Sequence, residues 1–262
     1  MKLNNGVEIP DIGYGVYEIP PKITKECVLT ALKIGYRHID TAAYYKNERE
    51  VGEATRESGI PRNEIFVTTK ICLAGNYQKA CKKIEDCLAR LGLDYIDLLL
   101  YHWPSGKNVE VYKAMEDYYK KGKIRAIGLS NFYGKKLDEI LANCEIVPAV
   151  NQIETHVLRN QKEEQALLES KGIVLESWSP LGNGSKKIFN NEILLKIAAK
   201  HQKTVAQVSL RYLYQRKVLI IPRSKNEGRM RENFNILDFM LDEEDIKEIE
   251  TLDRKKSLLG WL

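Results

Sequence analysis

Residues 65–101 read IFVTTKICLAGNYQKACKKIEDCLARLGLDYIDLLLY. A β-branched and apolar run, Ile65–Ile71, leads into an amphipathic stretch, Tyr77–Leu91, and then into a second run, Tyr95–Tyr101. The largely continuous apolar segment Ile96–Leu100 reads as a strand buried on both faces, the condition of parallel strands covered by helices. Strand, crossover helix and strand make one βαβ unit, which takes roughly 30 residues.

The same alternation runs outward in both directions. Further strands are expected at Ile12–Gly15, Arg37–Asp40, Ile124–Ser130, Ala149–Ile153, Ile173–Trp178 and Val218–Pro222. Helical patterns fall at Thr24–Ile34, Asn47–Ser58, Val109–Lys121, Lys135–Asn143, Gln161–Ser170, Glu192–Tyr214, Glu227–Asn233 and Asp242–Leu252. Eight strand–helix units in 262 residues suit an α/β fold of one domain, residues 1–262, closed as a (β/α)8 TIM barrel. An open doubly wound sheet is the alternative. Against it, Gly13-Tyr14-Gly15 is followed by neither a third glycine nor a helix, so the dinucleotide fingerprint is missing. An N-terminal β-hairpin is expected from Lys2-Leu3-Asn4 and Val7-Glu8-Ile9 around Asn5-Gly6, a pair suited to two successive positive φ angles.

Composition narrows the function. Lys and Arg number 41 against 36 Asp and Glu, and a net charge of +5 is small for this length, so nucleic-acid binding is not expected. No apolar run approaches the ~20 residues of a membrane helix, and Met1–Gly6 carries no apolar signal stretch. Five cysteines, Cys27, Cys72, Cys81, Cys87 and Cys144, form no C-x-x-C pair and read as reduced thiols in a cytoplasmic protein. His38, His102, His156 and His201 are too scattered for a zinc spacing, so no metal is expected.

In such a barrel, chemistry collects at the C-terminal ends of the strands. Those ends carry Asp40, Lys70, His102, Ser130-Asn131, Gln152, Trp178-Ser179 and Arg223-Ser224. Asp40, Lys70 and His102 lie on three successive strands, with Tyr45 just beyond the first. A cation beside a phenol lowers its pKa from the usual ~10, which makes Tyr45 a general acid. His102 can donate to a carbonyl oxygen that gains charge. With no Ser or Cys nucleophile paired to a base, hydride from a cofactor is the natural partner.

At these residues the chain resembles the aldo-keto reductase family. Gly35–Gly52, GYRHIDTAAYYKNEREVG, resembles the first family signature; Met115–Phe132, MEDYYKKGKIRAIGLSNF, the second; and Ile221–Phe239, IPRSKNEGRMRENFNILDF, the third. Thr69-Lys70, Leu100–Pro104 and Trp178–Gly182 match the segments between, in family order across nearly the whole chain. The resemblance to short microbial members, such as diketogluconate and aldehyde reductases, implies the barrel fold, NADP(H) as cofactor and a catalytic tetrad of Asp40, Tyr45, Lys70 and His102. In that tetrad Tyr45 donates the proton, Lys70 and Asp40 tune it, and His102 orients the carbonyl.

The resemblance also implies cofactor contacts. Gly15, Val16, Tyr17 and Asp40 belong to them. Ser130, Asn131 and Gln152 would hold the nicotinamide carboxamide, and Trp178 would stack on the ring. Ser179, Pro180, Leu181 and Gly182 would loop over the pyrophosphate. Ile221, Pro222, Arg223, Ser224 and Arg229 would surround the adenosine 2′-phosphate, with Glu232 and Asn233 at the adenine. Arg223 stands where many members have Lys, and its planar fork still suits phosphate. Arg231 reads as a solvated helix face. The substrate would meet Tyr17, Tyr44, Tyr45, Cys72, His102 and Trp103.

Short loops and a short tail suggest an open pocket for small aldehydes, 2-oxoaldehydes, diketones or keto-sugars, in a monomer, with Trp261 near enough to the tail's end to fold over the site. Two rivals stand beside this reading. One is an NADPH-binding regulatory or redox-sensing subunit with slow turnover. The other is an aldolase using Lys70 as Schiff-base nucleophile.

Overall fold

The computed structural model describes residues 1–260, so the expected role of Trp261 lies outside the described residues. Eight strands pair in chain order, every pair parallel: β1 Tyr14–Gly15, β2 His38–Asp40, β3 Phe66–Ile71, β4 Ile96–Tyr101, β5 Ile124–Ser130, β6 Val150–Glu154, β7 Val174–Trp178 and β8 Leu219–Ile220. A parallel bridge between Ile12 and Ile220, with backbone bonds from Gly13 N to Ile220 O and from Gly15 N to Pro222 O, joins the first strand to the last. The eight-stranded barrel expected from the alternation fits this pairing. Gly13 permits the closure, because a Cβ there would come within 2.6 Å of the buried His38 ring.

Each strand leads into helix. The first six are followed by α1 Pro21–Ile34, α2 Glu48–Glu57, α3 Tyr77–Leu91, α4 Asn108–Lys120, α5 Gly134–Leu141 and α6 Lys162–Ser170. After β7 come α7 Lys186–Phe189, α8 Glu192–His201 and α9 Val205–Gln215; after β8 come α10 Glu227–Phe234 and α11 Glu243–Glu250. The one long helix expected over Glu192–Tyr214 is thus two. Gln202 adopts φ 53°, and Thr204 starts α9 with a reciprocal capping box to Gln207 that satisfies free amides at the new end. The eighth strand is also shorter than Val218–Pro222, since Pro222 has no N–H for a ladder.

The N-terminal hairpin is present in outline, as an antiparallel bridge between Lys2 and Glu8, but its turn differs from expectation. Only Gly6 has a positive φ, +86°. Gly6 N bonds Leu3 O and Leu3 N bonds Val7 O, so the connection spans three residues and Asn5 keeps an ordinary φ. Asn5 anchors the turn by donating through Nδ2 to Arg125 O.

Side chains alternate across each strand, and this period divides the barrel's interior into two ends. Leu3 and Ile9 of the hairpin pack with Phe66, Leu98, Leu100, Ala126, Val150 and Leu219, an apolar plug. Further along the same inward faces the residues become polar: Asp40 on β2, Lys70 on β3, Gln152 on β6 and Glu176 on β7, all buried. The opposite faces, such as Val67, Ile71, Leu99 and Tyr101, join the larger core beneath the helices. Helices seat closely there: a Cβ on Gly52 of α2 would fall 1.7 Å from Leu91 O.

Candidate active site

The polar inward residues meet beside a groove of about 850 Å³. Lys70 is fully buried. Its Nζ lies 2.6 and 2.7 Å from the two Asp40 carboxylate oxygens, donates to Thr41 O at 3.0 Å, and donates to the Tyr45 hydroxyl at 3.3 Å. Tyr45 sits outside the strands, in a short 3₁₀ turn, Ala43–Tyr45, that brings its phenol back over the end of β3. Because the Tyr45 oxygen accepts from Lys70, its own hydrogen is left to point elsewhere. Tyr17 packs against the Tyr45 ring at 5.0 Å and His102 against it edge-on at 5.8 Å.

The acidity of Tyr45 differs from the sequence-based expectation. Burial pushes the phenol up to about 12, and the pull of Lys70 only partly offsets this because Asp40 pushes the other way. The ammonium and the carboxylate screen each other, so desolvation wins. Lys70 also loses solvation, but Asp40 and Tyr45 outweigh that loss and hold its pKa above the usual lysine value. Burial, with Lys70 nearby, lowers His102 to about 3, which leaves a neutral imidazole with one N–H to donate. At neutral pH the groove therefore presents a protonated phenol and a neutral imidazole, backed by an ion pair.

Several expected cofactor residues are already tied to one another. Asn131, held at φ 64°, donates through Nδ2 to His102 O and to Ser130 Oγ, and accepts from Trp178 Nε1 at 2.9 Å. Ser130 Oγ donates to Gln152 O. Gln152 donates through Nε2 to both Asp40 and Glu176, which turns its amide oxygen away from the two carboxyls. Of the expected contacts, Gly15, Tyr17, Tyr44, Tyr45, Asp40, His102, Trp103, Asn131, Gln152 and Trp178 line the groove. So do Ser179, Pro180, Leu181, Ile221, Pro222, Arg223, Ser224, Arg229, Glu232 and Asn233. Val16, Lys70, Ser130, Gly182 and Cys72 do not. Val16, Lys70 and Ser130 are buried behind the wall. Cys72, expected to meet the substrate, is half-buried just past the end of β3.

Arg223 spans the groove, donating to Glu18 at 3.0 Å and to Asn183 at 2.7 Å, and so joins the β1 and β7 loops. Among the described residues, no ion pair engages Arg229 or Lys225, both exposed on the groove wall, whereas Arg231 pairs with Glu227 on the outer helix face. Asn183 and Gly184, within the glycine-rich stretch Leu181–Ser185, also line the groove, as do Lys225, Asn226, Phe189 and Ala206, for which the sequence suggested no role. Lys225 and Asn226 follow Ser224 directly, so extending that segment would have found them; Ala206 sits on a helix and gave no signal. The groove thus runs from an aromatic end, at Tyr17, Tyr44 and Trp103, past Trp178 to a basic end at Arg229.

Comparison with known proteins places this geometry. The model of the aldo/keto reductase family matches residues 11–254. The chain is 46% identical to glyoxal reductase of Bacillus subtilis, over 97% of this chain and 92% of the relative. It is 44% identical to the 9,11-endoperoxide prostaglandin H2 reductase of Trypanosoma cruzi, over 98% and 93%. It superposes with a TM-score of 0.95 on the crystal structure of an aldo-keto reductase from a Medee basin deep-sea metagenome library, 42% identical, covering 98% of this chain and 96% of that one.

Proposed function

The chain belongs to the aldo/keto reductase family, and from that premise we propose that it reduces aldehydes or ketones to alcohols with NADPH. The observation that carries the reading is the buried chain Asp40–Lys70–Tyr45 ending on a groove of about 850 Å³ whose wall also carries Trp178 and Arg229. The wall fits that cofactor chemically. Trp178 offers an aromatic face, Gln152 an amide oxygen, and Lys225 and Arg229 offer cationic groups without ion-pair partners among the described residues. When bound, NADPH supplies the hydride.

The residues then divide the remaining work. His102, neutral, donates a hydrogen bond to the substrate oxygen and polarises the carbonyl. Tyr45 keeps its proton at neutral pH and gives it to that oxygen as negative charge develops. The tyrosinate left behind lies beside the Lys70 ammonium, which favours it, and Asp40 holds Lys70 in place. A proton from solvent restores Tyr45. Catalytic roles for Asp40, Tyr45, Lys70 and His102 are part of this proposal.

Lys70 suits no Schiff base, which needs a neutral amine, because Asp40 keeps it an ammonium. A sensor with slow turnover remains the second outcome of the assay below. The segment between β4 and α4, residues 102–107, is short and leaves the aromatic end open, which favours small aldehydes, 2-oxoaldehydes, diketones and keto-sugars. The relatives' names span both small and bulky substrates. Five free thiols fit a protein working in a reducing cytosol. Among the described residues no helix is long and apolar enough to cross a membrane.

One assay tests the reading: NADPH oxidation at saturating carbonyl, repeated with NADH and with Arg229→Ala. Small 2-oxoaldehydes should give the highest kcat/KM. Arg229→Ala should raise the KM for NADPH about tenfold or more, as for a lost charged hydrogen bond, with little change for NADH. Turnover that stays slow with every carbonyl would favour the sensor; equal losses with both nucleotides would remove Arg229 from the phosphate site.

A further inference from the structure

Glu176 lies two residues before Trp178 on β7, fully buried on the inward face, and the reaction described above does not use it. Its Oε2 accepts from Gln152 Nε2 at 2.8 Å, and the same nitrogen donates to Asp40 Oδ2 at 2.9 Å. One amide group is therefore forked between two carboxyls. The other oxygen of Glu176, Oε1, is buried with no hydrogen-bond partner and stands 3.7 Å from His38 Nε2. His38 is no cation: burial lowers it to about 3, and its Nε2 is already bonded to Thr68 Oγ1. The groups facing Glu176 are Asp40 and His38 from β2, Lys70 from β3 and Gln152 from β6, while β8 brings only Leu219 alongside. Among the described residues the cation facing Glu176 is Lys70, and it is held by Asp40 at 2.6 Å. A carboxylate at Glu176 would bury a charged oxygen with no donor, whereas a neutral acid would not.

We propose that Glu176 is a positioning residue that works as a neutral acid. It shares the Gln152 amide with Asp40, so that Gln152 presents its oxygen to the groove and Asp40 keeps Lys70 in place for Tyr45. The inference rests on the carbonyl-reductase reading and extends it to pH. Burial and the Asp40 charge push Glu176 up to about 8, against the weaker pull of Gln152 and Lys70. When Glu176 loses its proton to solvent, a second anion competes for Gln152 and Lys70, and Tyr45 becomes a poorer acid. Reduction then falls through an alkaline limb that depends on Glu176, which Glu176→Gln distinguishes from a limb of the Tyr45 phenol.

The test is the pH profile of kcat/KM for aldehyde reduction. The wild type should lose about tenfold through a limb near pH 8. Glu176→Gln, neutral at every pH, should match the wild type at neutral pH and lose the limb. Glu176→Met leaves a Gln152 donor unpaired; it should raise the KM for NADPH about tenfold at neutral pH and also lose the limb. A wild type without the limb, or variants that keep it at the same pH, would overturn the inference. Infrared difference spectra across pH on the ligand-free protein give a second readout. The neutral-carboxyl stretch should be present at neutral pH and missing from Glu176→Gln, and its absence from the wild type would overturn the inference whatever the activity. A wild type that has the band and shows the limb in NADPH affinity, yet reduces no carbonyl, would overturn only the reductase reading.

Discussion

Tyr45→Phe should lower kcat/KM for aldehyde reduction by about 10² to 10⁴, the range associated with a lost general acid. The substitution removes one oxygen and keeps the ring that packs between Tyr17 and His102. The groove wall therefore stays in place, and NADPH affinity should change little, as read by quenching of tryptophan fluorescence. The phenol stays protonated well past neutral pH, so the wild-type rate of reduction should show no limb from Tyr45 itself near neutrality. A Phe variant that reduces aldehydes at the native rate would remove Tyr45 as the proton donor.

Lys70→Met has two large effects with different origins. The ammonium sits fully buried against Asp40, and removing one partner of a buried pair typically costs about 3–5 kcal/mol, because the other charge is left uncompensated. Here that charge would lie on the same Gln152 amide as Glu176, with His38 unable to help. Denaturant unfolding at neutral pH should show this loss. Activity should fall by at least as much as in Tyr45→Phe, since the tyrosinate formed in the reaction loses its cation. Adding Asp40→Asn to Lys70→Met removes the stranded charge and should recover much of the stability while leaving activity low. A double variant no more stable than Lys70→Met would mean that the pair is not the origin of the cost.

Much of this site was legible because a barrel imposes a simple code. Side chains alternate along every strand, so Asp40, Lys70 and Gln152 near the strand ends had to face one interior. Tyr45 follows no such code; it lies in a turn, and only the motif spacing from Asp40 marked it. Its acidity is not legible in the sequence, which shows that a cation is near but not that the phenol is buried or that Asp40 offsets the cation. Glu176 escapes a reading of strand ends because it lies inside its strand, two positions before Trp178. The split of the long helix was also readable, from Thr204 and Gln207 at capping-box spacing, but the apolar periodicity continues across the break and hid it. Arg223 illustrates the opposite limit: its type suggested phosphate, yet its bonds to Glu18 and Asn183 depend on two loops that no local pattern brings together.

The account stands on the phenol of Tyr45 meeting the substrate oxygen where hydride arrives. A crystal structure of the protein with NADP⁺ tests this most directly. The nicotinamide ring should lie against Trp178, with its reactive carbon facing the space between the Tyr45 hydroxyl and the His102 ring, and with the phosphate end at Arg229. A ring bound elsewhere, or a Tyr45 hydroxyl turned away from that carbon with Lys70 no longer bonded to it, would contradict the account.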